Sequence, residues 1–118
     1  EVILPPGLTS IGHQAFAFCE NMSMINVPAT TEVIDQDAFY CCFMLPQDFL
    51  QNLPYGLKRI EEDAFHLCGS VEEFTIPATV EFIGRYAFMT SGLVEVNLAT
   101  PGTLLKVIPS TTFYGCVQ

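Results

Sequence analysis

Leu4-Pro5-Pro6-Gly7-Leu8-Thr9-Ser10-Ile11-Gly12-His13-Gln14-Ala15-Phe16-Ala17-Phe18-Cys19 holds a frame that returns along the whole chain. Its phenylalanine Phe16 recurs as Phe39, Phe65, Phe88 and Phe113, at intervals of 23, 26, 23 and 25 residues, and four of the five follow an alanine. An isoleucine stands five residues before each (Ile11, Ile34, Ile60, Ile83, Ile108), and a cysteine three residues after (Cys19, Cys42, Cys68, Cys116), with Ser91 in the fourth copy. Eight residues before it come Leu8, Leu57, Val80 and Leu105, with Thr31 as the outlier, and eleven before it come Pro5, Pro28, Pro54 and Pro77. Self-similarity at this period is the mark of a repeat solenoid, because one short coil cannot bury its apolar side alone and must stack on its neighbours. The expected fold is a single domain over residues 1–118, a parallel β-stranded array of about five coils with irregular corners.

Three stretches between a cysteine column and the next turn alternate in polarity. Met22, Ile25 and Val27, then Val71, Phe74 and Ile76, then Leu93, Val96 and Leu98, are interleaved with Met24 and Asn26, Glu73 and Thr75, Glu95 and Asn97. Period-two alternation describes a strand with one wet face. Proline follows directly in the first and third copies, and Ala99 in the fourth; proline lacks an N–H and fixes φ, so it ends the ladder and turns the chain. The second copy departs from this plan, with a step of twelve residues from Cys42 to Pro54 where the first and third copies step nine from cysteine to proline. The insertion falls within Met44-Leu45-Pro46-Gln47-Asp48-Phe49-Leu50, so its strand is expected to be bulged or displaced, and it is a candidate functional loop.

Thirteen acidic residues against four basic ones give a net charge of −9, which repels phosphate backbones and anionic membrane surfaces, so nucleic acid is not expected as a partner. No apolar run reaches the roughly 18 to 20 residues of a membrane span, and the 50% hydrophobic content suits a fold that buries one side of every coil. The chain starts and stops inside a repeat, at Glu1 and Gln118, which points to an excerpt of a longer array with uncapped ends that make end-to-end contacts.

The frame Leu4-Pro5 to Leu8, Ile11-Gly12, Ala15-Phe16 and Cys19, running on to Ile25, Val27 and Pro28, resembles the BspA-like class of leucine-rich repeats. The resemblance implies an open solenoid with short parallel strands on one face and corners on the other. It also implies binding to proteins or adhesion to surfaces, often in extracellular or surface-anchored arrays, and it carries no catalytic residues and no cofactor. A column of reduced cysteines also fits an intracellular protein.

Charged columns support the register. Seven residues before each phenylalanine stand Thr9, Glu32, Lys58, Glu81 and Lys106, alternating in sign from the second copy on, and Glu62 and Arg85 are expected to pair in the same way. Asp35 stacks on Glu61 and Asp37 on Asp63, which gives either a solvated acidic patch or a calcium site, without the dense Asp/Asn/Gly loop of a dedicated one. The column cysteines are expected as reduced, buried thiols, since parallel side chains rarely reach disulfide geometry; Cys41, outside the column, is the expected exposed thiol. His13 and His66 fall at different repeat positions and belong to no shared site, and no nucleophile motif accompanies them. Gly7, Gly12, Gly56 and Gly84 recur at turns, where they serve positive φ or tight packing.

The leading functional reading is a non-catalytic module that presents an outward strand face to a protein partner. The residues are Met24, Asn26, Glu72, Glu73, Thr75, Val94, Glu95 and Asn97, a mixed face biased to acid in the later copies, whose complement is a basic or polar protein surface. The alternative is a scaffold or spacer subunit within a larger assembly.

Overall fold

The computed structural model describes residues 2–69, 71–98 and 104–116, so the turn expected at Ala99 and the coil end beyond Cys116, with Val117, lie outside the described residues. The chain winds as a parallel-stranded solenoid. Its axis is marked by the phenylalanine row: Phe16, Phe39, Phe65, Phe88 and Phe113 stack ring on ring, with successive centroids 5.5, 5.3, 5.3 and 5.6 Å apart. Phe39, Phe65 and Phe88 are wholly buried, among Ile34, Ile60 and Ile83 of the isoleucine column. Thr112 takes the alanine position of the fifth copy without an orphaned hydroxyl, because Gly84 O on the preceding coil accepts its proton at 3.1 Å.

The coils pair with their neighbours along two sides. On one side run β1 (Val2–Ile3) with β3 (Ile25–Asn26), and β6 (Glu73–Ile76) with β8 (Glu95–Leu98). On the second, which the sequence did not distinguish as a ladder, β2 (Ser10–Ile11), β4 (Val33–Ile34), β5 (Arg59–Ile60) and β7 (Phe82–Ile83) form a four-stranded parallel sheet. Two residues per strand are too few to show a period, which is why this ladder read only as an isoleucine column.

The insertion of the second copy does displace a strand. A 3-10 turn, Phe49–Asn52, stands between β3 and β6 and splits the first face into two separate pairs. Phe49 is inserted edge-on against Phe39 and Phe65, with centroids at 5.4 and 6.1 Å, and Leu45 and Leu50 are buried beside it. The extra residues are thus anchored by apolar side chains, while Gln47, Asp48, Gln51 and Asn52 stay exposed.

The corners depart from the glycine expectation. Positive φ falls on the residues two before and two after the first four phenylalanines: Gln14 and Phe18, Asp37 and Cys41, Asp63 and Leu67, Tyr86 and Thr90, all between 51° and 61°. A ladder holds them there, since Gln14, Phe16 and Phe18 give their N–H groups to Gln36, Ala38 and Tyr40 of the next coil at 2.7 to 3.1 Å. Of the four glycines singled out above, Gly84 serves tight packing: an added Cβ would lie 2.5 Å from Glu62 N. Gly7 and Gly12 have open space around them and none of the four has positive φ.

Candidate functional site

Strands β6 and β8 pair in register, Glu73 with Glu95, Phe74 with Val96, Thr75 with Asn97 and Ile76 with Leu98. Phe74 and Ile76 enter the core, so their neighbours Glu73 and Thr75 point away from it, and Glu95 and Asn97 stand beside them on the next strand. Val96 and Leu98, expected as inward residues, keep that register but are 38% and 50% exposed, because among the described residues no further strand covers them.

The insertion supplies a wall to this face. Gln47, Asp48 and Gln51 stand against Glu72, Glu73, Val94 and Glu95 around a hollow of about 410 Å³. Gln47 Nε2 donates to Glu72 Oε1 at 2.8 Å, Gln51 Nε2 to Glu73 Oε2 at 2.6 Å, and Asn97 Nδ2 to Glu95 Oε1 at 2.9 Å. These amides orient the carboxylates without neutralising them. Four acidic groups line the hollow and no lysine or arginine does. The basic residues Lys58, Arg59 and Arg85 are engaged elsewhere, with Glu32 at 3.3 Å, Glu61 at 2.6 Å and Glu62 at 3.8 Å. The carboxylates give the hollow a negative potential, the complement of a cationic group.

Of the eight residues chosen from the sequence, Glu72, Glu73, Val94 and Glu95 meet in this hollow, and Thr75 and Asn97 continue the same strand pair. Met24 and Asn26 lie across the insertion, Asn26 on β3 and Met24 just before it, around a shallower hollow of about 200 Å³ with Ser23, Ile25 and Pro46. The insertion divides what the alternation alone makes continuous. Gln47, Asp48 and Gln51 were not chosen from the sequence; the signal for them was the polar remainder of an insertion whose Leu45, Phe49 and Leu50 turn inward.

The proposed acidic patch does not converge. Asp35 and Glu61 line a hollow on the side of β7, where Arg59 Nε meets Glu61 at 2.6 Å, whereas Asp37 and Asp63 face the corner. There Asp37 has His13 Nε2 at 3.6 Å and Asp63 has His66 Nδ1 at 2.8 Å. Burial raises the Asp63 carboxyl above the usual range, against the hydrogen bond from His66. Among the described residues no group of three or more His, Cys, Asp or Glu side chains could hold a metal ion.

All five cysteines are free. Cys41 corrects the expectation of an exposed thiol: it is buried, and that burial pushes its thiol above the ordinary value. Cys19 and Cys116, on the outer coils, are the half-buried ones.

The BspA type leucine rich repeat region matches residues 1–118 in six copies. The chain belongs to the BspA-type leucine-rich repeat family. Among solved structures, the repeat array is similar to the leucine-rich repeat protein of T. pallidum, with a TM-score of 0.68 and 26% identity over 81% of this chain and 50% of that one. It is also similar to a leucine-rich repeat protein from Bacteroides ovatus, with a TM-score of 0.61 and 26% identity over 82% of this chain and 33% of that one. The chain therefore spans half the length of the first and a third of the second. No curated protein matches it by sequence. Repeats of this family are generally protein-interaction or adhesion modules, and the family and fold are typically non-enzymatic. No described helix is long and apolar enough to cross a membrane.

Proposed function

We propose that this repeat array is a non-catalytic protein-interaction module whose β6–β8 face receives a basic protein partner, with a cationic side chain seated in the hollow between Glu72, Glu73 and Glu95. The observation that carries the reading is the insertion wall: Gln47 and Gln51 hold two of these glutamates by neutral amides in a hollow lined by four carboxylates and no cation. A charge that sits there finds its counter-charges already oriented, so binding orders little of this protein.

The test is titration of a capped tetralysine peptide into the isotopically labelled protein, with backbone shifts followed at 20 and 300 mM salt. Binding at Gln51, Glu73 and Glu95 that weakens with salt supports the reading. Glu73→Lys with Glu95→Lys should abolish those shifts and leave the thermal midpoint within a few degrees, since Glu95 is exposed and Glu73 half-buried on the outward face. Shifts spread evenly over the acidic surface, or unchanged in the double variant, would refute it.

A further inference from the structure

The corner opposite the proposed face carries a second, chemically different surface. In each copy the residue two before the phenylalanine and the residue one after it are tied by a backbone bond: Tyr40 N to Asp37 O, His66 N to Asp63 O, Met89 N to Tyr86 O and Tyr114 N to Thr111 O, at 3.0 to 3.2 Å. Asp37, Asp63 and Tyr86 are left-handed and the backbone bond recurs in every one of these coils, so the two columns run side by side along the stack. They are rich in aromatic and acidic groups. Phe18, two residues after Phe16 and bordering the columns, meets Tyr40 edge-on at 5.4 Å and Tyr40 meets His66 at 4.8 Å, while Phe18 and Tyr114 are more than 60% exposed.

Two hollows open along these columns. The larger, about 430 Å³, is lined by Asp63, His66, Tyr86, Met89, Thr111 and Tyr114; the smaller, about 320 Å³, by Gln14, Ala17, Phe18, Asp37 and Tyr40. Each offers aromatic side chains and one carboxylate, and neither contains a lysine or arginine. In the larger, the Thr111 hydroxyl is buried without a hydrogen-bond partner. Planar aromatic faces beside a carboxylate suit the guanidinium group, which stacks on rings and gives its N–H groups to the acid at once.

We infer that this corner groove docks an extended peptide segment carrying two arginines four residues apart, one in each hollow. The spacing follows from the stack. The hollows are centred two to three coils apart, about 13 Å at the 5.3 to 5.6 Å step of the phenylalanine row, and four residues of extended chain at about 3.3 Å each cover that distance with both side chains on one side. The chain's net charge of −9 favours such a partner on approach.

The experiment uses the whole chain and a capped pentapeptide with arginine at its first and last positions and glycine and serine between. Shifts are expected at Tyr40, Tyr86, Met89 and Tyr114, at least fivefold weaker affinity when either arginine is replaced by neutral, isosteric citrulline, and a similar loss when the arginines are made adjacent. Asp63→Asn and Tyr86→Ser should each weaken binding at least fivefold, while Glu73→Lys with Glu95→Lys leaves these corner shifts in place, which separates this groove from the strand face. Tyr86→Phe serves as a control that keeps the ring, and it should bind as the parent does. Shifts confined to Glu72, Glu73 and Glu95, equal binding of the citrulline peptide, or binding of a neutral oligosaccharide in place of the arginine peptide would overturn the inference.

Discussion

Cys68 gives its thiol proton to Phe39 O on the preceding coil, Sγ to O 3.0 Å, and the same oxygen accepts the N–H of Cys42 within its own coil at 3.2 Å. Cys42 and Cys116 repeat the contact with Phe16 O and Phe88 O, each at 3.0 Å. The column cysteines are therefore weak donors that fill the second lone pair of the Phe16, Phe39 and Phe88 carbonyls. Ser91 keeps the small size at this position, with its hydroxyl 3.5 Å from Cys116 Sγ and accepting the Leu93 N–H at 3.4 Å. Cys68→Val should destabilise by about 1–3 kcal/mol, through overpacking and a lost donor. Cys68→Ser should cost less than Cys68→Val in urea unfolding; the reverse order would remove the donor from the explanation.

The same burial sets a pH dependence. Desolvation pushes the Cys42 thiol up to about 12 and moves Cys68 in the same direction. The folded state thus keeps protons that the unfolded chain releases near its ordinary thiol range of about 8.5. This contribution to stability is present in full below that pH and is lost as pH rises toward 12. Urea midpoints should fall above pH 9, and less so for Cys42→Ser with Cys68→Ser. At pH 8, thiol reagents should label Cys19 and Cys116 before Cys41, Cys42 and Cys68.

The left-handed corner residues give a prediction of the opposite sign from the usual glycine substitution. Gln14 sits at φ 56° and is exposed, a conformation that costs an L-residue about 1–2 kcal/mol and glycine almost nothing. Gln14→Gly should stabilise by about 0.5 to 1 kcal/mol once the added freedom of the unfolded glycine is set against that relief. Gln36→Gly, an exposed corner position without positive φ, should destabilise. Thermal midpoints of the two variants moving in the same direction would count against the corner geometry.

What could be read from the sequence followed from how far each signal repeats. Phe16, Ile11 and Cys19 have equivalents one coil away on the same side, so the apolar columns named the solenoid, and Glu32 with Lys58 confirmed its register. The corner backbone was illegible because the left-handed residues are Gln14, Asp37, Leu67 and Tyr86, whose side chains share nothing; what they share is a hydrogen-bond ladder to the next coil. Half the site was visible in the outward glutamates of β6 and β8. The wall that shapes it comes from a segment present in one copy, for which repetition offers no guide.

Lys58 Nζ lies 3.3 Å from Glu32 Oε1, with both side chains about half exposed. Such a pair is worth about 0.2 to 1 kcal/mol and is screened by salt. Lys58→Glu should therefore destabilise more than Lys58→Ala, since it sets two like charges side by side, and the gap should close between 20 mM and 1 M salt. A gap independent of salt would point to packing of the lysine stem instead.

Glu73 and Glu95 occupy directly opposed positions of β6 and β8, and each accepts from a neutral amide, Gln51 for one and Asn97 for the other. Like charges across a parallel ladder cost stability, typically a few tenths of a kcal/mol. Glu95→Gln should consequently raise the urea midpoint at low salt and change it little at 1 M salt. The same substitution should slow association of the tetralysine peptide, because the repulsion that weakens the free protein is the field that draws a cation in. A gain in stability together with a loss in association rate is the expected outcome. If Glu95→Gln leaves both unchanged, the opposed carboxylates are too well solvated to act as a site, and the β6–β8 face loses its claim to the partner.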